Sequence, residues 1–286
     1  VKTYADALRG MVSAFRTQDA PLTRLQFHNY VESLGLAANY PAIEGANFAA
    51  HVRDEERDAF VASVRADRSL VPGGHPAFDI KPPGRRSDYT VLTYIEPLDM
   101  LPEKFGIDMS VKPAVARALA HSRDTGRLGA SGQGIVVIHP TPHISLGMRM
   151  PVYRVGVPLA SVDDRRRAYL GSVGISFALP ALVHSALNEL PVPGVKLSLY
   201  TDTTPGAGPM AVEPGDTLLF SDNGTLAASP VDGAERDQYV ETVLPVESNG
   251  FKWKAQFRIR TSELHTTFDR YFPPVAMVTG FAGTML

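Results

Sequence analysis

From Ile144 to Val155 the chain alternates, with Ile144, Leu146, Met148, Met150 and Val152 on one side of an extended backbone and Ser145, Gly147, Arg149 and Tyr153 on the other. A strand this long with one apolar side has to be paired edge to edge and covered by another layer. The flanking sequence supplies both. Tyr89 to Glu96 and Ile135 to Ile138 read as strands and Pro113 to Ser122 as a helix; the order then recurs, with a strand at Tyr169 to Phe177, a helix at Leu179 to Leu187, and strands near Val195 to Tyr200, Thr217 to Ser221, Tyr239 to Val243 and Phe251 to Arg260. This repeated order predicts an α+β chain of two stacked antiparallel-sheet units with a boundary near Gly156 to Asp164. The length of 286 residues also exceeds what one core usually serves.

Ahead of the first unit, Val1, Tyr4, Leu8, Met11 and Phe15 recur at spacings of three and four, a seam that either pairs helices side by side or packs on its own domain. Thr23 with Gln26 three residues on is a capping box, and it starts a second helix bearing Phe27, Tyr30, Val31 and Leu34. Asn47 to Arg65 reads as a third helix, with Phe48, Val52, Phe60, Val61 and Val64 inward and the charges from Arg53 to Asp58 in solvent. A short strand is expected at Phe78 to Ile80 between proline-glycine punctuation.

Charge and composition narrow the function. A net charge of -2 and a pI near 6.5 give no cationic footprint for nucleic acid. The absence of cysteine removes disulfides, thiolate metal sites and thiol nucleophiles. His139 and His143 are four apart, but Pro140 and Pro142 exclude the helix that would turn both toward a metal, and no cofactor motif is present. The chain opens at Val1 with no leader, as an excised or processed piece would. From Phe272 to Leu286 there is no charge; Val275 to Leu286 is shorter than the roughly 20 residues that cross a bilayer, and reads as the start of a membrane helix or as a buried terminus.

Several segments, in order, resemble the CHASE family of extracellular sensor modules of bacterial sensor kinases and diguanylate cyclases and of plant cytokinin receptors. They are Phe27-His28-Asn29-Tyr30-Val31, Tyr40-Pro41-Ala42-Ile43-Glu44-Gly45, Val52 to Phe60 with Glu56-Arg57, Tyr94-Ile95-Glu96-Pro97 and Gly106-Ile107-Asp108-Met109. Arg117-Ala118-Leu119 with Asp124-Thr125-Gly126, Met150-Pro151-Val152-Tyr153 and Leu170-Gly171-Ser172-Val173 follow. The resemblance implies an N-terminal helical stalk and dimerisation region (residues 1–38), a membrane-distal PAS-like ligand-binding domain (39–157), a membrane-proximal PAS-like domain (158–272) and an apolar tail beginning a membrane helix (273–286). It further implies a periplasmic or extracellular location, a homodimer, flanking membrane helices, and a cytoplasmic kinase or cyclase that receives the signal.

The expected ligand is a small planar or amphipathic molecule with hydrogen-bond donors. Asp108 is the expected anchor: it precedes Ser110, a candidate N-cap with Pro113 in the first helical turn, and in the cytokinin receptors an aspartate of similar position accepts N–H groups of the ligand. The other reading is that Asp108 only caps its helix. Leu98-Asp99-Met100 is a second copy of the motif. Leu146, Met148 and Met150 are either the floor beneath a flat ligand or plain core. Tyr94, Leu128 and Thr141 complete the expected set, Thr141 beside His143 in the loop where the family places a polar contact. The alternatives are a protein-interaction module with no enclosed pocket and a secreted hydrolase using Asp108 and His139.

Overall fold

The computed structural model describes residues 2–16, 22–98, 102–130, 134–137, 142–189, 194–202, 211–222, 238–248 and 251–264. Helices α1 (Lys2–Arg16), α2 (Arg24–Ser33) and α3 (Leu36–Asn39) lead into β1 (Ile43–Arg53), α4 (Arg57–Ala66), β2 (Asp88–Glu96) and α5 (Pro113–Thr125). Next come β3 (Gly129–Ala130), β4 (Ile135–Val137), β5 (His143–Tyr153), α6 (Val162–Ala168), β6 (Tyr169–Ala178) and α7 (Leu179–Glu189). Strands β7 (Lys196–Thr201), β8 (Leu218–Ser221), β9 (Tyr239–Ser248), β10 (Phe251–Arg260) and helix α8 (Thr261–Leu264) complete the described elements. The α+β expectation holds, with two antiparallel sheets ordered β2-β1-β6-β5-β3, with β4 also on β5, and β8-β7-β10-β9. The compact units are Val1–His184 with Glu247–Phe251, and Ser185–Val246 with Lys252–Leu286.

Three expectations are corrected here. The segment opening the third expected helix is instead β1, a central strand paired on both edges with β2 and β6. Its run Gly45-Ala46-Asn47-Phe48-Ala49-Ala50 carries no period-two signature because Ala46 and Ala49 are fully buried on opposite faces, and pairing overrides the helix preference of alanine. Strand β6, expected to open the second unit, lies in the first sheet between β1 and β5. Alternation identifies a strand but not its neighbour. The short strand expected at Phe78 to Ile80 does not form: both side chains are buried, but outside any strand.

The α1 seam closes on its own domain rather than standing free for a partner helix. Leu8 and Met11 are fully buried, Tyr4 stacks on Phe177 of β6 at 6.0 Å, and Phe15 meets Phe48 of β1 at 4.7 Å. The α2 capping box forms as predicted, with Thr23 N–H donating to Gln26 Oε1 at 2.9 Å and Gln26 N–H to Thr23 Oγ1 at 3.2 Å. Arg24 then fixes α2 to the sheet: its buried guanidinium pairs with Asp67 at 3.0 Å, donates to the Thr93 carbonyl at 2.7 Å, and lies 5.0 Å from the rings of both Tyr94 and Phe105. Together α1 and α2 cover one face of the first sheet and leave the other to α5.

A candidate ligand cavity floored by the first sheet

A register irregularity sets which residues face α5. β1 pairs Asn47 with Ile95 and Ala49 with Leu92, so β2 carries an extra residue at Thr93. This bulge puts Leu92 and Ile95, three apart, on one face and sends Tyr94 to the other beside Phe48. On β5 and β6, Gly147, Arg149, Gly174 and Ser176 share the face of Asn47. A cavity of about 260 Å3 opens above this face. Val115, Ala118, Leu119 and Ser122 of α5 form its roof, and Ile107 and Met109 one wall. Gly129, Ala130 and Ile135 line the far side, and the lining is mostly apolar.

Arg149 is the principal charge on the floor. Its Nε donates to Ser172 Oγ at 2.9 Å, Nη2 to the Ser172 carbonyl at 2.7 Å, and Nη1 to Asn47 Oδ1 at 2.5 Å. Burial pulls the guanidinium down to about 10, with the Tyr169 phenol opposing, and it stays cationic at neutral pH. A Cβ at Gly174 would come within 2.7 Å of Arg149 Cζ, so the bare strand gives the guanidinium its bed. Lys104 and Lys112 also line the cavity.

Asp108 lies in the cavity wall as expected, but its side chain is fully buried and already engaged. Oδ1 accepts the N–H of Thr90 at 2.9 Å, the N–H of Ser110 at 3.0 Å and the hydroxyl of Ser110 at 2.6 Å; Oδ2 has only Arg86 Nη1, 3.5 Å away. The neighbouring backbone runs along the open edge of β2: Leu92 N–H donates to the Ile107 carbonyl, Gly106 N–H to the Leu92 carbonyl, and Asp108 N–H to the Lys81 carbonyl. Asp108 thus caps the 3-10 turn Met109–Val111 and seals a sheet edge. Ser110 does not cap α5; Lys112 holds that position, with Pro113 in the first turn as predicted. Asp108 Oδ2 makes no hydrogen bond, and His139, its partner in the hydrolase alternative, lies outside the described residues.

The remaining expected residues divide between other places. Leu146 and Met148 are fully buried, and with Met150 they share the face of Phe177, which α1 covers, so they are core on the side away from the cavity. Tyr94 points the same way, donating its hydroxyl to the Leu22 carbonyl at 2.9 Å, and burial pushes its phenol up. Leu128 is half-buried next to the lining residue Gly129. Thr141, the second motif at Asp99 and Met100, and the tail 273–286 lie outside the described residues. Thr125 and Gly126 end α5 as expected, Gly126 in the left-handed region at φ 72°. Sequence reasoning missed Asn47, Lys104, Lys112 and Arg149 as lining; the available signal was an arginine between two methionines in a strand, on the side that faces away from them.

Two histidines make stability depend on pH. Burial lowers His51, against Tyr169 at 5.3 Å, below 6.5; Asp88 and Glu56 oppose the shift and Arg123 and Arg53 add to it. Burial also lowers His75, with Arg24 adding and Asp67 opposing. With folded values depressed, the unfolded chain binds more protons, so stability is complete above about 6.5 and is lost as pH falls through the folded values. Urea midpoints are expected to drop between about pH 7.5 and 5.5, and the His51→Gln/His75→Gln double variant to show a shallower drop. Equal drops in both proteins would contradict this assignment.

Among the described residues no group of three His, Asp or Glu is placed to hold a metal ion, and no helix is long and apolar enough to cross a membrane. A profile of the CHASE domain matches residues 21–211, well over half of the chain. Comparison with curated proteins finds no match. An extracellular ligand binding receptor from Desulfohalobium retbaense aligns at a TM-score of 0.50 and 10% identity over 90% of this chain, which spans 37% of that receptor's chain. The ligand-binding domain of the Pseudomonas aeruginosa amino acid chemoreceptor PctC, solved in complex with GABA, aligns at 0.49 and 14% identity, covering 90% of this chain and 91% of its own. The periplasmic sensory domain of the Campylobacter jejuni chemoreceptor Tlp1 aligns at 0.46 and 10%, covering 91% and 88%. At 10% identity the first of these speaks to the fold alone.

Proposed function

This chain belongs to the CHASE-domain family, extracytoplasmic sensory modules of membrane receptors, and from that premise we propose that it senses a small amphipathic molecule bound in the cavity between the first sheet and α5. The observation that carries the proposal is the lining itself, an apolar roof and walls over a floor that presents a hydrogen-bonding guanidinium. The protein-interaction alternative predicts no enclosed pocket here. The proposal extends to a homodimer anchored by flanking membrane helices, with the chain beyond the cavity-bearing unit relaying occupancy to a cytoplasmic kinase or cyclase.

A route for that relay begins at the roof. Asp124 near the end of α5 accepts two bonds from Arg166 of α6, Nε at 3.0 Å and Nη2 at 2.5 Å, and Arg165 Nε donates to the Asp124 carbonyl at 2.7 Å. The Arg166 and Arg123 guanidiniums hold the Asp124 carboxyl well below the usual carboxylate range. A displacement of α5 over a ligand is therefore handed to α6 and to the start of β6. Occupancy biases the receptor only if the ligand binds one arrangement more tightly than the other.

The test is thermal-shift screening of a small-molecule library against wild type and Ala118→Trp, which places an indole in the cavity. A ligand at about a hundredfold its Kd stabilises by about 2.7 kcal/mol, a shift of several degrees. Hits on wild type that vanish in Ala118→Trp are expected. Hits that shift both proteins equally, or a library with none, would count against the proposal.

A further inference from the structure

We infer that the cavity selects an anion with an apolar body, a small monocarboxylate held by Arg149, rather than an amine, an amino acid or a ligand recognised through its N–H donors. This rests on the cavity being the ligand site and goes further by naming what it takes. Arg149 is a desolvated cation whose hydrogen-bond partners, Ser172 and Asn47, are both neutral, and among the described residues no carboxylate lies within ion-pair distance of it. Three of its five N–H groups are used, which leaves one on each terminal nitrogen without an acceptor. Buried charges are ordinarily paired. The two remaining donors belong to a planar fork, whose natural acceptor is a carboxylate bound through both oxygens.

The rest of the lining points the same way. Lys104 and Lys112 stand at the cavity without an ion pair among the described residues. The one acidic residue of the lining, Asp108, has a fully buried side chain, with Oδ1 accepting three hydrogen bonds and Oδ2 making none, 3.5 Å from Arg86 Nη1. An ammonium group would meet the Arg149 guanidinium on the floor and the Lys104 side chain in the lining, while the one carboxylate oxygen left without a hydrogen bond, Asp108 Oδ2, is fully buried beside Arg86. Leu92, Ile95, Ile107, Val115 and Leu119 offer nothing to the hydration of a phosphate dianion but bury a hydrocarbon chain or ring well.

Isothermal titration calorimetry with hexanoate, hexanamide and hexylamine, matched in length and differing in the head group, tests the inference. Wild type is expected to bind hexanoate at least tenfold more tightly than either of the others, and Arg149→Met to lose that preference. Arg149→Lys keeps the charge without the fork and is expected to fall between them, and circular-dichroism melts establish which variants are folded. Gly174→Ala, which crowds the guanidinium from below, is a second way to weaken hexanoate without deleting the arginine. Equal or tighter binding of the amide or amine, or undiminished hexanoate binding by folded Arg149→Met, would overturn the inference. So would a protein that takes neutral library hits lost in Ala118→Trp yet binds none of the three, in which case the cavity would stand as a site and only its anion preference would fall.

Discussion

Gly171→Ala is expected to destabilise the protein by roughly 3–5 kcal/mol, enough to abolish most soluble expression. Gly171 sits in β6 at φ 145°, a conformation that side-chain-bearing residues rarely adopt. A Cβ there would run into the Ala49 carbonyl oxygen of β1 and stand 3.0 Å from Phe48 Cζ. β1 cannot retreat, because β2 pairs with its other edge, and Phe48 is wedged between Phe15 and Tyr94. The damage would also reach the cavity, since Ser172, the next residue, holds Arg149 through both its hydroxyl and its carbonyl. Urea denaturation of Gly171→Ala beside Gly147→Ala checks the argument. At Gly147 the nearest atom to an added Cβ is the Ile175 carbonyl oxygen at 3.9 Å, and a change within about 1 kcal/mol is expected. Similar losses at both positions would contradict it.

Asp108→Ala is expected to lower the unfolding free energy by roughly 2–4 kcal/mol, because it strips the acceptor from two backbone N–H groups, of Thr90 and Ser110, and from the Ser110 hydroxyl. Asp108→Asn keeps an oxygen where Oδ1 sits but gives up the carboxylate charge and puts an amide NH2 beside Arg86, so its loss should be real yet the smaller of the two. Chemical denaturation of both variants measures the difference. If Asp108→Ala were as stable as wild type, the carboxylate would not be holding the wall at residues 105–109, and its part in shaping the cavity would have to be abandoned.

These two residues illustrate how far the fold was legible in the amino-acid order. β5, β2, β10 and α5 were readable because alternation or a capped apolar stripe survives any tertiary context. β1 was not, since a strand buried on both faces with alanines at its centre loses the period that marks strands. The neighbour of β6 was not, because antiparallel pairing depends on contacts far apart in sequence. At the site, the capping reading of Asp108 was open to sequence, but its bond to Thr90 was not: that partner is 18 residues away on a strand whose edge is exposed only once the sheet has formed. The methionine stripe of β5 and the arginine opposite were both visible. Which side receives a ligand depends on α1 covering one face and α5 standing off the other, and a strand's own pattern carries no information about that choice.

A crystal structure of the protein with the strongest wild-type ligand would test the central claim most directly. The expected result is density for the ligand between Arg149 and α5, its polar end on the guanidinium and its apolar body against Leu92, Ile95 and Val115. Ligand density outside this enclosure, or side chains of α5 packed down onto Gly147 and Gly174 with the ligand bound elsewhere, would contradict it.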